Sequence, residues 1–262
     1  MFAGNTDNEW EKLGRRDPFY GVLSHEKYHM TNINEDSVEE FFGTGKAYID
    51  LIMDTIRKYV DPDFKPLTAL DFGCGVGRVL VHLARSFKYV VGVDVSDSML
   101  SHAKRACEQR KIENVAFIKG NDQLSEVKGS FDFIHSFIVF QHIPTRRGEM
   151  LFGNLIRRLS AGGIGAIHLT YSSKLSIKAK VITWIRNNIP YVHNLVNLSK
   201  RRDLNFPSTQ MNRYDLNNIF RILQEAGCHR VHVLFTDHGY YGVVILFQKN
   251  ATISAASALS QT

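Results

Sequence analysis

The densest chemical signal in the chain is the run Asp71-Phe72-Gly73-Cys74-Gly75-Val76-Gly77. It closes an apolar stretch at residues 67–72 and precedes a helical pattern that starts near Val79. Glycines at alternate positions let a backbone approach a ligand closely, and a helix start offers free N–H groups to an anion. A glycine-rich loop alone fits any nucleotide-type ligand, but two details narrow it. The spacing is G-x-G-x-G, not the G-x-G-x-x-G of dinucleotide binders. An acidic residue also stands at the strand end, where a carboxylate would repel a pyrophosphate and suit a ligand carrying ammonium and sulfonium charges.

S-adenosylmethionine (SAM) is such a ligand. Its amino-acid carboxylate can sit at the helix N-terminus while its ammonium faces Asp71. A second apolar run ends in Val91-Gly92-Val93-Asp94, which places a carboxylate to accept both ribose hydroxyl protons. Adenosyl and nicotinamide cofactors share that arrangement, so Asp94 supports a nucleoside without choosing between them. After a third run, Gly120-Asn121-Asp122-Gln123 offers Asp122 as acceptor for an adenine amino group, with turn chemistry as the competing reading.

Methyl transfer from a sulfonium is a direct displacement, so the protein's task is to align the nucleophile and exclude water. A hydroxyl nucleophile also gains from a base that titrates near neutral pH, which points to histidine. His142, in the run from Phe137 to Pro144 after the fourth strand, is the leading base, weighed evenly against a histidine that positions this loop or touches the cofactor. His238, in Asp237-His238-Gly239-Tyr240, is the second candidate, and Tyr214, in Gln210-Met211-Asn212-Arg213-Tyr214, the third.

These residues need a frame. Strand-like runs at 67–72, 89–93, 115–118, 131–136 and 164–169 alternate with helical patterns at 79–85, 98–109 and 148–159, preceded by one at 41–59. That alternation predicts a parallel sheet covered by helices on both faces, an α/β fold. A helix over 214–226 is closed by Gly227. Runs at 231–235 and 243–247, joined through Asp237-His238-Gly239, predict an antiparallel pair. The expected domain is 41–249, interrupted after the fifth strand by a helical insertion at 172–213. Residues 1–40 form an N-terminal segment, without structure up to about residue 9, and 250–262 a disordered tail.

The order of strand, Asp71 loop, Asp94, Asp122, Phe131-Asp132-Phe133-Ile134 and the Ala161-Gly162-Gly163 turn resembles the class I SAM-dependent methyltransferase family. The resemblance implies a seven-stranded, mostly parallel sheet with an antiparallel last strand and SAM at the carboxyl ends of the strands. It implies cofactor contacts from Asp71, Phe72, Gly73, Cys74, Gly75 and Gly77, then from Asp94, Val95 and Met99. Asn121, Asp122 and Gln123 would follow, with Ser136 and Phe137 after the fourth strand. Trp10, the stretch Asp17-Pro18-Phe19-Tyr20, Gln210–Tyr214 and the His238 segment are more loosely similar to bacterial methyltransferases of sugars and polysaccharides. That likeness makes Tyr20 a candidate cofactor cover.

The function expected is therefore transfer of a methyl group from SAM, leaving S-adenosylhomocysteine (SAH), to a small or glycan-like acceptor, with oxygen as the favoured nucleophile. RNA methylation and SAM binding without catalysis are the alternatives. The net charge of +6 is spread over pairs such as Arg146-Arg147, which read as solvated faces, so a nucleic-acid partner is not favoured. The insertion places Ile177, Val181 and Trp184 on one helical face, which fits a packing or lid helix better than a membrane-surface one. Three widely spaced cysteines and scattered histidines predict neither disulfides nor a metal site, and no leader peptide is read, so a cytoplasmic protein is expected. Asn188-Ile189-Pro190-Tyr191 spells a motif of adenine-methylating RNA enzymes, but it lies too far from the fourth strand to face the methyl group.

Overall fold

A computed structural model describes residues 6–174, 207 and 209–251. Seven strands form one sheet in the order β3-β2-β1-β4-β5-β7-β6. They are β1 (Thr68–Phe72), β2 (Tyr89–Asp94), β3 (Val115–Lys119), β4 (Phe131–Ser136), β5 (Leu159–Ser173), β6 (Arg230–Asp237) and β7 (Tyr240–Gln248). β7 runs antiparallel to both of its neighbours, β5 and β6, and the other pairings are parallel. The sheet is the α/β arrangement expected, with the last strand reversed.

Strand order explains where a ligand can go. From β1 the chain steps outward to β2 and β3, then returns to the far side of β1 for β4 and β5. Connections on opposite sides of the β1/β4 boundary leave a crevice at the carboxyl ends of these strands. The glycine run leaves β1 at that crevice.

Helices cover both faces. They are α1 (Thr6–Arg16), α2 (Pro18–Val22), α3 (Glu35–Tyr59), α4 (Leu80–Ser86), α5 (Asp97–Gln109), α6 (Thr145–Arg157) and α7 (Leu216–Glu225). One apolar layer joins Ile52, Ile56, Leu80, Leu83 and Phe133, and a second, on the other face, joins Phe140, Phe152, Leu155, Ile219 and Phe247. α3 starts six residues before its predicted position because Asn34 and Ser37 form a reciprocal cap, each side chain accepting from the other's backbone N–H.

Two local expectations need correction. The polar stretch up to residue 9 is helical from Thr6 onward, because its polar side chains dock on the domain rather than on solvent. The Ala161-Gly162-Gly163 segment is an irregularity within β5: the register against β4 shifts between Phe131 and Phe133, and Gly162 takes φ +76°. The predicted insertion falls largely outside the described residues, as do Asn188-Ile189-Pro190-Tyr191 and the tail from residue 252.

Candidate active site

The loop after β1 curls over the end of β2. Gly73 and Cys74 both donate to the Val93 carbonyl, at 2.7 and 3.0 Å, and Gly75 N–H donates to Asp94 Oδ2 at 2.9 Å. Gly73, Gly75 and Gly77 all have positive φ, which explains glycine at alternate positions. A side chain at Gly73 would also collide with Val139, and one at Gly75 would come within 2.9 Å of Val22. The backbone is thus exposed to a cavity of about 520 Å³ at the β1/β4 crevice.

Asp94 lies on the cavity wall. Its Oδ1 accepts from Ser96 N–H at 2.9 Å, so both carboxylate oxygens are fixed by backbone donors and keep further lone pairs for a ligand. Burial raises its pKa from 3.8 to about 6, even though these N–H groups pull the other way. Of the other expected cofactor residues, Phe72, Gly73, Gly75, Val95, Asn121, Asp122, Phe137 and Tyr20 line the same cavity.

Several expected contacts lie elsewhere. Asp71 is buried under the loop, where its Oδ1 accepts from His135 Nδ1 at 2.7 Å. Cys74, Gly77, Met99 and Ser136 are packed behind the wall, and Gln123 is exposed outside it. The physical reason is the strand pleat and the loop's alternation: neighbouring residues face opposite ways, so proximity in sequence does not put each on the ligand side.

Asp122 is engaged. Its Oδ1 accepts from Arg147 Nε at 2.6 Å, and the two terminal nitrogens of Arg147 donate to Asp7, both at 2.9 Å. Arg147 therefore ties the β3 loop and α6 to the first turn of α1, and it corrects the reading of Arg146-Arg147 as a solvated pair. Glu11, one turn on, accepts from Ser96 Oγ, Ser98 Oγ and Ser98 N–H at 2.8–3.1 Å. Burial opposes its charge, yet those donors hold its carboxyl down to about 2. α1 closes one side of the cavity with Thr6, Asp7, Trp10 and Leu13.

The three candidate bases are separated by their surroundings. His142 borders the cavity, but Nδ1 donates to the Gln210 carbonyl at 2.8 Å and Nε2 faces Gln141 Nε2 at 3.2 Å. Trp10 packs edge-on to its ring at 4.9 Å, and burial lowers its pKa to about 4. Both nitrogens are committed, which fits the loop-positioning alternative. Tyr214 is buried away from the cavity, with Oη 3.0 Å from the Phe140 carbonyl and 2.9 Å from that of Ile143. Burial pushes its phenol far above the usual range, so it holds the β4–α6 connection rather than moving protons. His238 stands in the β6–β7 turn at the cavity edge, its ring edge-on to Phe137 at 5.4 Å. Partial burial and the Arg78 charge lower its pKa, and Asp237 opposes them.

Arg78 escaped sequence reasoning. It follows the last glycine of the loop and lines the cavity opposite Phe137, with its guanidinium carbon 5.8 Å from the ring centre. The signal available was its position at the loop's end. Among the described residues, no three or more His, Cys, Asp or Glu side chains are grouped to hold a metal ion.

Comparison with known proteins places this geometry. Residues 69–163 match the family model of a methyltransferase domain. The chain is 31% identical over 121 residues to demethylmenaquinone methyltransferase of Lactococcus lactis, covering 40% of this chain and 48% of that protein. It is 27% identical over 95 residues to a probable fatty acid methyltransferase of Mycobacterium tuberculosis, covering 36% and 22%. The chain thus spans about half or less of the length of these relatives. Magnesium protoporphyrin IX methyltransferase of Synechocystis, solved with bound SAH, superposes with a TM-score of 0.61 at 17% identity, covering 94% of this chain and all of that one. The N-methyltransferase NodS of Bradyrhizobium japonicum, also with SAH, gives 0.54 at 14%, covering 92% and 98%. Residues 69–163 are thus matched as a methyltransferase domain, and the sheet has the fold of methyltransferases solved with bound SAH.

Proposed function

We propose that this protein transfers the methyl group of SAM to a hydroxyl of a small or glycan-like acceptor. The observation that carries the reading is the cavity at the β1/β4 crevice, which has the glycine loop and Asp94 on one side and His238 at its edge. The residues fit the cofactor: side chains at Gly73 and Gly75 would fill the cradle, and Asp94 keeps free lone pairs. Bound SAM supplies an electrophilic methyl on a positively charged sulfur. Asp94 would hold the ribose hydroxyls, and Asn121 and Asp122 would meet the adenine edge.

His238 would accept the proton that the hydroxyl loses as it is methylated, since its ring is at the edge of the cavity and its pKa is low enough to leave it neutral near pH 7. Phe137 beneath it supplies an apolar surface that excludes water. His142 would hold the β4–α6 connection through Gln210 and Gln141. α1 and Tyr20 would cover the cofactor.

Calorimetry with SAM and with NAD tests the first half, and absence of SAM binding at millimolar concentration would overturn it. Radiolabelled SAM incubated with fractionated cell extract tests the second. Label recovered in a small hydroxylated product, stable to mild base, is the expected result. Label confined to RNA, or no transfer despite SAM binding, would refute it.

A further inference from the structure

The two edges of the sheet are finished differently. β3, at one end, has five residues, and its apolar side chains Val115, Ala116, Phe117 and Ile118 all pack against the core. β6, at the other end, has eight residues and pairs with β7. Among the described residues, no other backbone pairs with its outer side. Between Arg230 and Asp237 it contains no proline, glycine or lysine, and its register with β7 has no shift. Such residues and shifts are the devices that keep a bare edge from pairing, so this strand is free to take a neighbour.

Its side chains indicate which neighbour. Val231, Val233 and Phe235 alternate along the strand and so share one face of the sheet. Val233 packs against the core there, but Val231 is 37% exposed and Phe235 80%, more than any other large apolar side chain described. The exposed pair is placed symmetrically about Val233. A two-fold axis normal to the sheet, beside Val233, sets a second β6 antiparallel to the first. Phe235 of each copy then lies opposite Val231 of the other, and the two Val233 residues oppose each other. Aromatic with β-branched is a favoured cross-strand pair. Moving the axis to Leu234 sets Val231 against Asp237, and moving it to His232 sets Phe235 against His229. The axis at Val233 is thus the one at which the exposed apolar side chains meet each other.

We infer that β6 is the docking edge for a second copy of this chain, which joins the two seven-stranded sheets across a two-fold axis at Val233. The same patch on both copies makes the contact, so it closes at two and leaves no apolar edge open to further chains. The inference stands on the edge and its apolar spacing, and it is independent of the methyltransferase reading of the cavity.

The test sediments the full chain across a wide range of concentrations. The expected mass is that of two chains, falling toward one on dilution. Phe235→Lys sets an ammonium opposite Val231 on both sides of the axis and should weaken the dimer by at least about 30-fold. Because Phe235 is exposed, the variant should keep the wild-type circular dichroism, which reports that it is folded. The register is read by cysteine pairing under the thiol oxidant diamide. Opposed Cα atoms of an antiparallel pair are about 4.5–5.5 Å apart, within disulfide reach. Val233→Cys should therefore cross-link to itself, whereas Val231→Cys and Phe235→Cys should cross-link only when mixed. Cys74, Cys107 and Cys228 are buried and do not compete. A chain that stays monomeric at every concentration overturns the inference, and slow amide exchange in β6 of that monomer would mean that its own chain covers the edge. A dimer that survives Phe235→Lys, or that Val233→Cys fails to cross-link, overturns it as well, since the contact then lies elsewhere.

Discussion

Asp94→Asn separates stability from cofactor binding. In the free protein the carboxyl of Asp94 has its pKa raised from 3.8 to about 6, chiefly by burial. An acid with a raised folded-state pKa binds more protons folded than unfolded between these values, so stability falls as pH rises through that window. At about 1.4 kcal/mol per unit, ionised Asp94 costs the free protein up to about 3 kcal/mol above pH 6. The carboxyl is half-buried, and water in the cavity reduces that figure.

Asparagine removes the charge but leaves one of the two N–H groups, from Gly75 or Ser96, facing an NH₂, a loss of about 1–2 kcal/mol. The expected net effect at pH 7.5 is a gain of about 1 kcal/mol, or roughly 2–4 °C in Tm. SAM affinity should move the other way, by at least about 30-fold, because the charged acceptor for the ribose hydroxyls is lost. In wild type, SAM binding requires the ionised form, so Kd should rise by about tenfold from pH 7 to pH 5 and stay flat in the variant. Scanning calorimetry and titration calorimetry across this range measure both. A variant that is destabilised at pH 7.5 yet binds SAM as wild type does would refute the argument.

Four further outcomes are expected. His238→Gln should lower turnover by about 10²–10⁴-fold with SAM affinity unchanged, whereas His142→Gln should act mainly on thermal stability; equal turnover losses would remove His238 as the base. The wild-type rate should fall toward acid with a midpoint below the usual 6.5, since the neutral ring is the active form and its pKa is lowered; a stopped pH–rate series checks this. Tyr214→Phe should cost about 1–3 kcal/mol in urea unfolding, because the Phe140 and Ile143 carbonyls lose their shared donor, while the rate per folded molecule holds. Arg147→Met should remove the cation that joins Asp7 to Asp122, raise hydrogen exchange through α1 and speed SAM release in stopped flow; unchanged exchange in α1 would show that Arg147 does not hold the helix.

The sequence by itself determined the backbone of the glycine loop and the succession of strands along the chain. Glycines at 73, 75 and 77 answer a local backbone requirement, positive φ, and local requirements are written locally. Strand periodicity likewise located all seven strands to within a few residues, apart from the extended ends of β5, because each buries its own apolar run. The hairpin that reverses β7 was visible in Asp237-His238-Gly239.

Only the tertiary structure decided which polar residues face the cavity. Asp71 carries the right charge at the right strand end, yet its register with His135 turns it into a buried pair. His142 and His238 are the same residue type. Committed nitrogens and burial to about pKa 4 leave one as a support and the other at the cavity edge. Arg147 meets partners 25 and 140 residues away, and the polar helix α1 is ordered by such contacts. Hydrogen bonds and charges depend on ångström distances between segments remote in sequence, and no local pattern records those distances.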